Sequence, residues 1–197
     1  MRTVRPGPLA AADRTVGPRE PAADQPRVLV CLLVCGERER GDDAAALLAA
    51  SDLAGLPDGV DVRIVGQLDP NDLLDVPEGA ACLVVDTLVG VPAGEVRTGS
   101  LDSLLQAGEA AGDAAGDVPG GAHRAGAEAA ALRSSHTLPA GDVLRLVQAL
   151  RGRLPRGRYV GIGGASFELG AGLSASVAGN LPALRRAIVR EARRLAG

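Results

Sequence analysis

Residues 28 to 43 read VLVCLLVCGERERGDD, a string that passes from an unbroken apolar run through a glycine and four charged residues to a pair of acids. Val28 to Cys35 has no alternation of polar and apolar positions, so it reads as a strand buried on both faces. Such strands belong to parallel sheets covered on each side by crossover helices. The strand is expected to end near Gly36, and a helix is expected over Asp42 to Leu53. Its acidic first turn suits the positive end of the helix dipole.

The same alternation of short apolar runs and helix-spaced segments continues along the chain. Strands are expected at Asp61 to Val65, at Ala81 to Val85 stopping at Asp86, and at Tyr159 to Ile162, with an edge strand at Glu95 to Thr98. Pro70 to Asp75 gives a short helical turn. Gly141 to Arg151 gives a helix with Val143, Leu144, Val147 and Leu150 on one face. The last helix spans Ser174 to Leu195, with Val177, Leu184, Ile188 and Leu195 toward the sheet. Gly179, Asn180 and Pro182 signal a break in it, so a short opening turn and a longer helix from Leu181 are expected. The class is α/β: a three-layer sandwich around a mostly parallel sheet.

The chain has 197 residues, which suits one domain. Apolar residues make up 46%, yet there is one Phe, one Tyr and no Trp, so the core is aliphatic. Residues 1–26 are rich in Pro, Ala and charge and read as a disordered extension. Residues 27–197 form the domain, interrupted by a low-complexity Ala/Gly loop at 106–133. His123 falls in that loop and reads as solvent-exposed filler.

Several function classes are excluded. A net charge of −3 and the lack of basic stretches interleaved with aromatics argue against nucleic acid as a partner. Arg185, Arg186, Arg190, Arg193 and Arg194 cluster near the C-terminus, at a spacing expected of a solvated helix face. No apolar run approaches the roughly 20 residues of a membrane-spanning helix, so no membrane role is expected. Cys31, Cys35 and Cys82 lie in apolar runs, odd in number and without metal or redox spacing, and read as buried packing. With no secretory signal at the N-terminus, the expected compartment is the cytoplasm.

In open sheets of this kind, ligands bind beyond the carboxyl ends of the strands. Asp43 opens the helix after the first strand, Asp86 lies at the exit of the third, and His136 sits in Ser134-Ser135-His136-Thr137-Leu138 before a later helix. These three are the candidate catalytic and metal-contacting residues. Two carboxylates and an imidazole suit a borderline divalent ion such as nickel or zinc, with coordination positions left open. Asp42 is expected to cap the helix. Glu168 and its neighbouring glycines are accounted for by turn geometry.

Taken in order, the strings Val34-Cys35-Gly36 through Gly41-Asp42-Asp43, Leu83-Val84-Val85-Asp86, Ser134 to Leu138, and Gly161 with Ser166-Phe167-Glu168-Leu169-Gly170 and Gly172-Leu173-Ser174 resemble the nickel-iron hydrogenase maturation peptidases. The resemblance covers most of 28–195. It implies a flavodoxin-like or phosphorylase/hydrolase-like sandwich, and removal of a C-terminal extension from the hydrogenase large-subunit precursor after nickel insertion. It places the metal-contacting positions on Asp43, Asp86 and His136, with the nickel carried by the substrate. Amide hydrolysis also needs an activated water, for which a carboxylate, Asp43 foremost, is the expected base. The chain departs from the family pattern at Glu37 and Ala44. Gly66-Gln67-Leu68 replaces an Asp-Gly-Gly segment, and Asp69 or Glu37 is the candidate substitute for its carboxylate.

Two other readings stand beside it. Gly161, Gly163 and Gly164 follow a strand and could admit a phosphate, although Ser166 occupies the place of the third glycine of a dinucleotide fingerprint. The loss of the Asp-Gly-Gly segment also fits a maturation factor that binds the large subunit without cutting it. HExxH and GxSxG motifs are absent.

Overall fold

The computed structural model describes residues 28–106 and 139–197. The expected extension over 1–26, the expected loop at 106–133 apart from Gln106, which ends a helical stretch, and the segment carrying His136 lie outside the described residues. In chain order the elements are β1 (Val30–Cys35), a 3-10 turn (Gly41–Ala44), α1 (Ala45–Ala50), β2 (Val60–Gly66), α2 (Pro70–Leu74), β3 (Ala81–Leu88) and β4 (Val96–Ser100). A helical stretch at 101–106 follows. Then come α3 (Ala140–Arg151), β5 (Gly157–Gly163) and α4 (Ala175–Ala196).

The strands form one five-stranded sheet in the order β2-β1-β3-β5-β4. Every neighbouring pair is parallel except β4 with β5, so the antiparallel strand stands at one edge. The unbroken apolar run of β1 is explained by its place, with all six residues buried. Val30, Leu32 and Val34 pack with Ala45, Ala49, Leu184 and Ile188 from α1 and α4. Cys31, Leu33 and Cys35 pack on the opposite face with Leu73, Leu104, Leu144 and Val147. Helices on both faces of a mostly parallel sheet give the three expected layers. All three cysteines are buried and unpaired, and burial is the main reason each thiol is held above its ordinary value.

Three expected boundaries are corrected. The helix expected over Asp42 to Leu53 opens as a 3-10 turn and ends at Ala50. β3 does not stop at Asp86 but runs on to Leu88, because Asp86, Thr87 and Leu88 pair with Gly161, Ile162 and Gly163 of β5. The last helix is not broken at Gly179–Pro182; α4 is continuous through Pro182. Proline there removes the hydrogen bond to the Ala178 carbonyl. Residues 178, 179, 180 and 182 are all exposed, so the freed carbonyl stands on the solvent side. Asn180 Nδ2 also donates to the Ser176 carbonyl at 2.9 Å. Of the four residues expected on one face of α3, Val143, Leu144 and Val147 are buried, whereas Leu150 is exposed.

Chain order sets where a site can form. From β1 the chain moves to β2 on one side, then returns to place β3 on the other. The crevice at the carboxyl ends of β1 and β3 is therefore the switch point at which sheets of this type bind ligands.

Candidate functional site at the switch point

The geometry begins at Gly36, the residue after β1. Its φ is +117°, and a Cβ there would lie 2.1 Å from the Asp43 carbonyl oxygen, so only glycine fits. Its N–H donates to the Gly66 carbonyl at 2.6 Å, which ties the end of β1 to the end of β2. The chain then loops through Glu37 to Arg40 and enters the 3-10 turn that carries both acids. Asp43 is fully buried, and its Oδ2 accepts a hydrogen bond from the Glu37 N–H at 2.8 Å.

Asp86 reaches the same crevice by register. The ladder between β1 and β3 ends at Val34 and Val85, so Asp86 is the first residue of β3 beyond its pairing with β1. It is half-buried, and its Oδ1 accepts from the Thr87 N–H at 2.7 Å. The thiol of Cys35 senses this crowding. Burial pushes it well above its usual value, and the charges of Asp86, Asp72 and Asp43, with Cys82, push it the same way. The charges of three carboxylates are thus felt at the last residue of β1.

Asp72 was not among the residues singled out from the sequence. Burial raises its carboxyl above the ordinary value, and its Oδ2 accepts from the Asp69 N–H at 2.9 Å. The available signal was the Asp-x-x-Asp spacing of a capping box. Asp69, in turn, caps α2: its Oδ1 accepts from the Asn71 N–H at 2.8 Å and from Asn71 Nδ2 at 2.7 Å. Glu37 contributes its backbone, while its side chain is exposed and no closer than 4.0 Å to Arg40. Both residues are exposed.

Asp42 departs from its expected role. The side chain caps no helix. Fully buried, it accepts the N–H groups of Ala165 (2.7 Å) and Ser166 (3.1 Å) on Oδ2 and of Ser174 (2.6 Å) on Oδ1. Burial raises this carboxyl, but the N–H groups of Ala165, Ser174 and Ser166 outweigh burial and leave it below its ordinary value; the Ser174 hydroxyl adds to that field without meeting hydrogen-bond geometry. Thr87 Oγ1 donates to the Asp42 carbonyl at 3.0 Å. Asp42 thereby ties the two-acid turn to β3 and to the loop that leads into α4.

The glycines that could have admitted a phosphate are packed against protein. A Cβ at Gly161 would meet Leu88, one at Gly163 the Pro92 carbonyl oxygen at 2.2 Å, and one at Gly164 Phe167 and Thr87. The nucleotide reading loses its structural basis. Among the described residues, no three His, Cys, Asp or Glu side chains are grouped to hold a metal ion. Asp43 and Asp86 supply two carboxylates; His136, the third residue read from the sequence, lies outside the described residues. None of the described helices is long and apolar enough to cross a membrane.

Gly36→Ala tests whether the crevice depends on this close approach. A methyl group must displace the Asp43 backbone and also hold a conformation that disfavours L residues. The expected cost is about 3 kcal/mol, read from urea unfolding. A loss below about 0.5 kcal/mol would show that the turn is not held as described.

No model of a protein family matches the sequence, and no curated protein matches it. Solved structures do share the fold. The [NiFe] hydrogenase maturation protease HybD from Thermococcus kodakarensis is similar at 22% identity with a TM-score of 0.58, covering 85% of this chain and 99% of that one. The hydrogenase maturating endopeptidase HybD from E. coli gives 16% identity, a TM-score of 0.58, and coverage of 84% and 92%. The [NiFe] hydrogenase maturation protease HycI from Thermococcus kodakarensis KOD1 gives 20%, 0.53, and coverage of 85% and 94%.

Proposed function

We propose that this chain is a cytoplasmic endopeptidase that removes a C-terminal extension from the large subunit of a nickel-iron hydrogenase after nickel has been inserted. The observation that carries the reading is the convergence of Asp43 and Asp86 on the β1/β3 switch point, within a fold shared with hydrogenase maturation proteases. The ordered strings from Val34 to Ser174 support the same reading.

In this mechanism the metal arrives with the substrate. Two carboxylates and the imidazole of His136 suit nickel, because oxygen and nitrogen donors are matched to a borderline ion and leave positions for its ligands in the precursor. Asp43, Asp86 and His136 read that nickel and so fix the scissile peptide beside the crevice. Amide hydrolysis then needs an activated water. The Asp43 carboxylate is the candidate base: its Oδ2 is held by the Glu37 N–H, which fixes the side chain's orientation. Precise placement of that kind supplies much of the rate when reactants are held in register.

The test compares nickel-loaded with nickel-free large-subunit precursor, each incubated with the full chain and weighed by mass spectrometry. Loss of a C-terminal fragment from the loaded precursor alone is the expected result. Stable binding with no loss of mass would favour the non-proteolytic maturation factor, a reading that the replacement of Asp-Gly-Gly by Gly66-Gln67-Leu68 keeps in view.

A further inference from the structure

The arginines near the C-terminus do not form the uniformly solvated face expected from their spacing. Arg185, Arg186, Arg190 and Arg193, with Asp52, Leu53, Ala54 and Val189, line a groove of about 510 Å³ between α4 and the segment after α1. Two of the guanidinium groups are anchored to its walls. Arg185 Nη2 donates to the Leu48 carbonyl at 3.2 Å, and its Nη1 stands 3.3 Å from Asp52. Arg193 donates to the Gly55 carbonyl through Nε at 3.2 Å and Nη2 at 2.9 Å. Arg190 Nε donates to Glu191 Oε1 at 3.2 Å. Arg186 is exposed and takes no partner among the described residues. Arg185 Nε is buried without an acceptor.

From these observations we infer that the groove is a docking surface for an acidic segment of a protein partner. Four cations and one acid line it, in a protein whose overall charge is −3, so positive potential is concentrated there against an acidic background. The floor of Leu53, Ala54 and Val189 accepts short aliphatic side chains between the anionic ones. Peptide fits this lining better than nucleic acid does, since no aromatic residue is present for base stacking. A lipid surface fits less well. Among the described residues the exposed large apolar ones are Val62, Ile64, Leu146, Leu150 and Leu169, none of which lines the groove.

The groove is far from the switch-point crevice. Ser174, at the start of α4, touches Asp42, and α4 then runs away from that end. Arg185 to Arg193 stand roughly 16 to 28 Å along the helix axis from it. Docking there is therefore independent of the proposed cleavage chemistry, and a partner held at both places would span the molecule.

The experiment is fluorescence anisotropy of the full chain with a short labelled peptide of Glu, Asp and Leu, beside its Gln, Asn and Leu counterpart. Saturable binding of the acidic peptide alone is expected, weakening as salt rises. Arg186→Gln with Arg190→Gln should weaken it about ten-fold with the melting temperature little changed, because Arg158 still pairs with Glu191 at 2.6 Å. Asp43→Asn should leave it untouched, which separates this inference from the peptidase reading. The proposal is overturned if no saturable binding occurs, if the double variant binds equally well, or if anionic vesicles or a single-stranded oligonucleotide of equal charge bind as tightly as the peptide.

Discussion

Asp43→Asn is expected to slow release of the C-terminal fragment from nickel-loaded precursor by at least about a hundred-fold, with the melting temperature moving by no more than a few degrees. The asparagine matches the carboxylate in shape, and its carbonyl oxygen can still accept the Glu37 N–H. What it lacks is the negative charge and the ability to take a proton from water. A rate loss at an unchanged melting temperature would therefore be chemical. The informative control is precursor binding: if Asp43 also reads the nickel, the variant should bind loaded precursor more weakly than wild type while binding nickel-free precursor equally. Normal cleavage by Asp43→Asn would remove this residue from the chemistry.

The placement of Asp43 and Asp86 was legible in the sequence because both follow continuous apolar runs, and such runs report strands buried on both faces. Their ends were less legible. Asp86 resembles a stop when read along the chain, yet β3 continues through it because the partner that prolongs the ladder is β5, more than seventy residues later. The predicted break in α4 failed for a related reason. In a helix interior Pro182 costs one hydrogen bond, but the cost is reduced when the orphaned carbonyl faces water, as the sheet-facing spacing of Val177, Leu184 and Ile188 implies for residue 178. Asp42 is the clearest case. Adjacent to a helical segment it reads as a cap, whereas its three donors lie 123, 124 and 132 residues away. The basic cluster on α4 was visible as charge, but the groove also needs Leu53, Ala54 and backbone carbonyls from the α1 end.

Those remote donors make Asp42 a residue whose loss should harm the fold. Asp42→Ala leaves the Ala165, Ser166 and Ser174 N–H groups, which are part-buried, without their acceptor. Each such orphan costs about 1–3 kcal/mol, so a destabilisation of about 4 kcal/mol is expected. Asp42→Asn should be little better, because both oxygens are in use and an NH₂ in either place would face an N–H donor. The charge also sets a pH signature. The folded carboxyl lies below its ordinary value of 3.8, so its stabilising contribution is complete above that value and is lost as pH falls through the lower, folded-state pKa. The gap in unfolding free energy between wild type and Asp42→Asn should therefore be constant near neutrality and narrow only below about pH 4. Urea titrations of both proteins from pH 7 downward measure it. A gap that instead widened on acidification would mean that Asp42 binds its proton more readily folded than unfolded, and the loop before α4 would then be held by something other than this carboxylate.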